Sequence, residues 1–129
     1  MKFICLVYFE PGAFDGATEA ELAKLTDDTI VEDNEMRERG QLILGQPLQG
    51  PETAVTVRGG KRGLSQTDGP FLETKEWLGG FTLIEAGDMA EAIALTKDSA
   101  IMKYASVEIR PTLEQTHGET GQGRPEAKL

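Results

Sequence analysis

Four ionisable side chains fall within the nine residues from Asp68 to Glu76: Asp68, Glu73, Lys75 and Glu76. Closely spaced carboxylates repel, which lifts one pKa toward neutrality, while a neighbouring ammonium lowers another. Asp68, Glu73 and Lys75 are therefore candidate catalytic groups for acid/base chemistry. The competing reading is that Asp68 ties down its own turn through its carboxylate and the other charges form a solvated surface. Phe71 and the only tryptophan, Trp77, flank the cluster. They can wall an apolar ligand pocket, or pack in a core or dimer interface. Gly79-Gly80 can admit a ligand against bare backbone, or mark a bulge at the start of a strand. Glu108 and Arg110, two apart on a strand, share a face. Arg110 can hold a carboxylate or phosphate in a fork, or close an ion pair with Glu108. Arg58 has the same two readings.

The remaining reactive residues carry less. Cys5 sits in an apolar run with no histidine nearby in sequence, which reads as a buried structural thiol. The single histidine, His117, lies near the end of the chain. No Cys/His cluster points to zinc, no phosphate-loop pattern surrounds Gly79-Gly80, and Mg²⁺ held by Asp68 and Glu73 has nothing to support it. No metal and no cofactor is expected.

The chain has 129 residues and a net charge of −9, from 22 acidic and 13 basic residues. That length fits one domain with one core. The acidic balance argues against a nucleic-acid binder, which needs a basic face, and against docking to an anionic membrane. One cysteine cannot form an internal disulfide, so a reducing compartment, the cytoplasm, is expected. The apolar residues 3–9 are too few for a signal-peptide core, and no run approaches a membrane span.

The elements that must position these groups follow from patterning. Residues 1–9 read as a strand apolar on both faces, with Phe3, Cys5, Val7 and Phe9 on one side and Ile4, Leu6 and Tyr8 on the other. Such a strand is central and covered on both sides. Thr18-Glu19-Ala20-Glu21 is a capping box opening a helix to about Arg39, with Gly40 as its stop and Thr26-Asp27-Asp28 as a weak spot. A strand over 42–44, a hairpin of 53–58 and 62–67 around Gly59-Gly60-Lys61, and a strand over 81–85 come next. Asp88-Met89-Ala90-Glu91 caps a second helix to about Lys97. Residues 105–110 alternate as a last strand, with Ala105, Val107 and Ile109 on one face. Gly69, before Pro70, is expected to be extended. Residues 112–129 show no periodicity and read as a mobile tail beyond a domain of residues 1–111.

This order is βαββαβ with an inserted hairpin, an α+β ferredoxin-like fold. Its two helices can cover one face of the sheet only. The apolar second face therefore predicts a homodimer, with Glu108 and Arg110 toward the covered side or its rim.

Asp68-Gly69-Pro70-Phe71, Glu73-Thr74-Lys75-Glu76, Leu78-Gly79-Gly80-Phe81 and Ile84-Glu85-Ala86 together resemble the DGPF branch of the YCII-related proteins. Gly40, the run Pro51-Glu52-Thr53-Ala54-x-Thr56-Val57-Arg58 and Ser106-Val107-Glu108-Ile109-Arg110-Pro111 extend the resemblance from Met1 to Pro111. It implies a ferredoxin-like fold that pairs into a dimeric α+β barrel, in a bacterial cytoplasmic protein, with no established reaction. YciI-type members carry a His–Asp pair proposed as catalytic. Here the only histidine is His117, and Gln41 stands where many DGPF-type members have histidine after the helix-ending glycine.

Two functions stand. One is a small isomerase or lyase using carboxylate acid/base chemistry in a cleft. The other is a non-catalytic module that binds a small anionic or polar metabolite, or a partner protein, in the same place. The missing histidine removes the side chain that most readily titrates near neutral pH. The residues leave open whether the protein is an enzyme.

Overall fold

The computed structural model describes residues 1–71 and 75–127. Strand β1 (Lys2–Phe9) is followed by helix α1 (Glu19–Glu38) and β2 (Leu42–Pro47). Strands β3 (Val55–Arg58) and β4 (Ser65–Asp68) come next, then β5 (Trp77–Glu85), α2 (Met89–Lys97) and β6 (Ser106–Pro111). One sheet runs β2-β5-β1-β6 with every pairing antiparallel, and β3-β4 form a separate ribbon. This is the ferredoxin-like βαββαβ order with a hairpin inserted, as patterning predicts.

The helix ends obey their local signals. The Thr18 hydroxyl accepts the Glu21 amide at 3.1 Å. At the far end Gly40 has φ +72, its amide donates to Arg37 O at 3.0 Å, and the Gln41 amide donates to Met36 O at 2.8 Å. That pair of bonds satisfies carbonyls the helix leaves open, and the left-handed glycine makes it possible. Asp88 accepts the Glu91 amide at 2.9 Å, and Glu91 accepts the Gly87 amide at 3.2 Å. The weak spot at Thr26-Asp27-Asp28 does not break α1. The Thr26 hydroxyl bonds back to Leu22 O at 3.2 Å, and Asp28 pairs with Lys24 one turn earlier at 2.6 Å, a spacing that faces the two together.

Several boundaries differ from the sequence reading. β5 starts at Trp77 rather than 81, so Gly79-Gly80 lie inside the strand. Val7 pairs with Gly80 but Tyr8 with Leu78, which leaves Gly79 as a bulge residue. The cause is steric: a Cβ on Gly79 would overlap the Phe9 ring, and one on Gly80 would sit 3.1 Å from Gln46 O. β2 runs on to Pro47 because it pairs with the extended part of β5. The hairpin loop spans 59–64, since Gly63 takes a second left-handed conformation and its amide closes onto Gly60 O at 3.0 Å. Gly69 is not extended but has φ +102, a region that glycine alone enters readily.

The core lies between helices and sheet. Phe3, Cys5, Leu42, Ile84, Ala86 and Ala92 are buried together, and Met36, Leu95, Val107 and Ile109 pack against them. The first strand is central as expected, but only one of its faces is covered by helices. On the other face Ile4, Leu6, Tyr8, Phe81 and Leu83 stay partly exposed, and Leu44 is 39% exposed. Glu108 and Arg110 pair opposite Leu6 and Ile4 on that open face. Residues 112–127 form no regular element, but Thr116 and Gly123 make an isolated antiparallel bridge.

Two stability measurements follow. Gly79→Ala should destabilise the fold by about 1–3 kcal/mol in urea unfolding, because the new methyl overpacks the Phe9 ring; an unchanged midpoint would show that the ring moves freely. Burial, and then the Glu32 carboxylate, hold the Asp33 carboxyl above its ordinary 3.8. The folded state thus binds this proton more tightly than the unfolded chain. Its favourable contribution is complete below 3.8 and is lost as pH rises through the elevated value. Asp33→Asn should therefore raise the melting temperature at about pH 7, with the gain disappearing near about pH 3. A gain that does not change with pH would rule out the carboxylate as its source.

Candidate functional site

The site grows out of the Phe9–Trp77 end of the sheet. Phe9 packs on Trp77 and on Phe14, each with ring centroids 4.9 Å apart, and Phe14 packs on Tyr104 at 5.2 Å. The bulge at Gly79 makes room for this cluster. It fixes the Trp77 ring at the start of β5, since offset aromatic pairs of this spacing are mutually attractive. Leu48 is tied alongside by its amide, 2.8 Å from Gly79 O.

The β3-β4 ribbon stands beside that end. Thr56 is buried, and its hydroxyl donates to Gly69 O at 2.7 Å, while the Gly69 amide donates to Ala54 O at 2.7 Å. The Arg58 guanidinium donates to Phe71 O at 3.1 Å and lies 4.6 Å from the centre of the Phe71 ring, a cation–π contact. Among the described residues, the turn at Asp68-Gly69-Pro70 is thus closed by backbone, Thr56 and Arg58, and not by the Asp68 carboxylate.

Between ribbon and sheet lies a cleft of about 1030 Å³. Val55, Val57, Phe71, Trp77 and Leu78 give it apolar walls, and Tyr8, Lys75 and Glu76 give it polar groups. A second hollow of about 570 Å³ adjoins it, lined by Tyr8, Glu10, Lys75, Glu76, Ser106, Val107 and Glu108. Tyr8, Lys75 and Glu76 line both. An ammonium, a phenol and a carboxylate at the mouth of an apolar cleft can bind a polar group and move a proton at it.

The residues singled out from sequence divide as follows. Phe71, Lys75 and Trp77 line the cleft, and Lys75 and Glu108 line the second hollow. Asp68 is exposed at the end of β4, opposite Val55, and lines neither. Gly79 faces the Phe9 ring and Gly80 the Gln46–Pro47 backbone. Arg58 is engaged with Phe71. Arg110 pairs with Glu108, whose hydrogen bond holds the guanidinium above its already high pKa. Glu73 lies outside the described residues, and with it the pairing of Asp68 and Glu73 around Mg²⁺. Among the described residues no three His, Cys, Asp or Glu side chains are grouped to hold a metal. Gln41 bonds to Arg39 Nε at 2.9 Å, and His117 lies in the C-terminal segment. Tyr8 and Glu10 are the groups that sequence reasoning passed over. The available signal was that Tyr8 carries a polar tip at the end of the strand face it shares with the apolar Ile4 and Leu6.

No helix among the described residues is long and apolar enough to cross a membrane. An uncharacterised protein of Rhizobium meliloti (strain 1021) is 29% identical over 121 residues, which spans 92% of this chain and 98% of that protein. Among solved structures, 5-chloro-2-hydroxyhydroquinone dehydrochlorinase of Burkholderia phenoliruptrix AC1100, in complex with 2,5-dihydroxybenzoquinone, aligns with a TM-score of 0.50. That alignment covers 95% of this chain and 100% of the dehydrochlorinase at 14% identity, a likeness of fold. The model of the YCII-related domain matches residues 1–116, from β1 past the end of β6. The chain therefore belongs to the YCII-related domain family.

Proposed function

We propose that the protein binds a small metabolite, with an apolar body and a polar or anionic substituent, in the cleft between the β3-β4 ribbon and Trp77. There it carries out acid/base chemistry of the isomerase or lyase kind. The observation that supports this is the convergence of Tyr8, Lys75 and Glu76 on the boundary of two hollows. Lys75 anchors the substituent, Phe71 and Trp77 hold the body, and Glu76 with Tyr8 handles the proton. A dehydrochlorinase shares the fold, so the fold admits enzymes; the choice of chemistry rests on this chain's own residues. The second reading, binding without turnover, is favoured by the ion pair that occupies Glu108 and Arg110 and by the engagement of Arg58 with Phe71. Asp68, exposed beyond the cleft, then serves the ribbon.

The Asp68-Gly69-Pro70-Phe71 sequence supports placing the chain in the DGPF branch. We infer a homodimer through the open sheet face, where Ile4, Leu6, Phe81 and Leu83 stay partly exposed and Leu44 is exposed. Apolar central strands of this kind call for a second layer, and the two sheets together would make an α+β barrel. The single buried thiol of Cys5 fits a cytoplasmic protein. The net charge of −9 fits small-molecule rather than nucleic-acid partners.

Trp77 is the only tryptophan, so its fluorescence reports on the cleft. In a titration series of small ring carboxylates and phenols, a true ligand should quench it. Lys75→Met should weaken that ligand by about tenfold or more, the worth of a hydrogen bond to a charged group, while leaving the melting temperature unchanged. Uptake of solvent deuterium into the ligand, slowed in Tyr8→Phe, would establish turnover; binding without exchange would leave the second reading. A ligand that binds with equal affinity to Lys75→Met would dismiss this cleft.

Light scattering at micromolar concentration should give about twice the chain mass of 14.0 kDa. Phe81→Asp should yield monomers. A wild-type monomer would remove the barrel.

A further inference from the structure

The chain does not leave the body of the protein after β6. The Thr112 amide donates to Lys2 O at 2.9 Å, one step beyond the last strand pair. The segment then folds on itself. The His117 amide donates to Gln122 O at 2.8 Å, and the Gly121 amide donates to His117 O at 2.9 Å with Gly121 at φ +72. His117 Nδ1 accepts the amides of Glu119 and Thr120 at 3.2 and 3.3 Å. Arg124 joins the two arms, donating from Nε and Nη2 to Gln115 Oε1 at 3.1 and 2.9 Å. The returning arm comes back to β1, where Glu126 pairs with Lys2 at 2.8 Å.

Beneath this fold-back is a hollow of about 630 Å³. Its body side is Lys2, Ile43, Leu83 and Glu85, and its other side is formed by residues 112–116 and 123–127. Lys2, Leu83 and Glu85 belong to the open sheet face by register: Lys2 pairs with Glu85, and Leu83 pairs with Ile4. Ile43 is 7% exposed although it lies outside the helix-side core cluster. The C-terminal segment therefore covers one end of the face that the helices leave bare.

We propose that residues 112–127 are a strap, latched by the Lys2–Glu126 ion pair, that competes with a second copy of the chain for the Lys2 end of the open sheet face. This rests on the dimer reading above. Two sheets packed face to face lie about 10 Å apart, which leaves no room for a strap between them at that end. The strap must swing away before two copies can pair over the full face. The latch is suited to opening. It is a single pair with Glu126 well exposed, so it is weak and screened by salt. Its carboxylate holds the Lys2 ammonium above its usual pKa, and Lys2 in turn holds Glu126 below the usual carboxylate value.

One exposed pair changes a closing equilibrium by a factor of about 1.5 to 5. Both copies must open, so loss of the latch should tighten the dimer by roughly 2- to 25-fold. The test uses full-length Glu126→Gln and Lys2→Gln in sedimentation equilibrium at low salt. Both should dimerise more tightly than wild type. Raising the salt should bring wild type toward the variants, and the swap Lys2→Glu with Glu126→Lys should restore wild-type behaviour. A second readout does not involve the dimer: a thiol placed by Ile43→Cys, under the strap, should be labelled faster at nanomolar concentration when Glu126→Gln is added. Unchanged labelling would overturn the latch. Dimers of equal affinity in all variants would overturn the competition while leaving the open-face dimer intact. Weaker dimers would show that the segment belongs to the interface, which also overturns it. If neither wild type nor variants pair at any concentration, the dimer reading itself falls and the proposal with it.

Discussion

The governing constraint is a mismatch between layers. The two α-helices among the described residues cover one face of a four-stranded sheet, while its two central strands are apolar on both. Phe3, Cys5 and Ile84 lie under the helices; Ile4, Leu6, Phe81 and Leu83 do not. Burial of apolar surface is the main favourable term in folding and association. A face left this apolar draws in whatever can cover it. Within one chain the available covers are short: the ribbon at one end and the C-terminal segment at the other.

The second constraint is local and sets the geometry of the cleft. Phe9 faces the helix side at the end of β1, and β5 passes directly over it. Only a residue without a Cβ fits there, so Gly79 is excluded from the ladder as a bulge. Bulges re-aim the side chains that follow or precede them. Here the shift sets Tyr8 opposite Leu78 and Phe9 opposite Trp77. The glycine pair is thus explained by packing, and its consequence for the site is indirect. It positions Trp77 and Tyr8, which themselves meet the cleft.

Much of the fold was legible because short-range rules decide it. Thr18 with Glu21, Asp88 with Glu91 and Gly40 mark helix ends by hydrogen bonds made within a few residues. The alternation of Val107 and Ile109 against Glu108 and Arg110 is likewise local. The start of β5 was not legible. By composition Gly79-Gly80 mark a bulge or the entry to a strand starting at 81, and Trp77 to Gly80 are strand because β1 and β2 flank them. The left-handed Gly69 was missed for the same reason, since its conformation answers to Ala54 and Thr56 across the ribbon. The site was legible in part. Lys75, Phe71 and Trp77 stand in the sequence cluster and in the cleft. Asp68 is in the cluster alone: it is exposed at the end of β4 and lines neither hollow. Tyr8 is sixty-odd residues away and joins the group through pairing with β5. The bonds within residues 112–127 were invisible too, as they run between polar side chains and backbone and leave no hydrophobic period.

These features act on one surface. Lys2 and Tyr8 lie on the same side of β1, six residues and roughly 20 Å apart. The strap touches the first and the cleft opens at the second. Between them run Ile4 and Leu6, the uncovered middle of the sheet. Anything that packs there must meet the Glu108–Arg110 pair along one side, since those residues stand opposite Leu6 and Ile4. Glu108 also borders the hollow shared by Tyr8, Lys75 and Glu76. Burying that pair under a second layer would lower the dielectric around Glu108 and strengthen its hold on Arg110. It would likewise remove water from one side of Lys75 and Glu76. A second layer on the face would therefore change the electrostatic environment at the polar end of the cleft. Glu108 thus lies between the open face and the polar end of the cleft, on the edge strand rather than in the Asp-Gly-Pro-Phe segment.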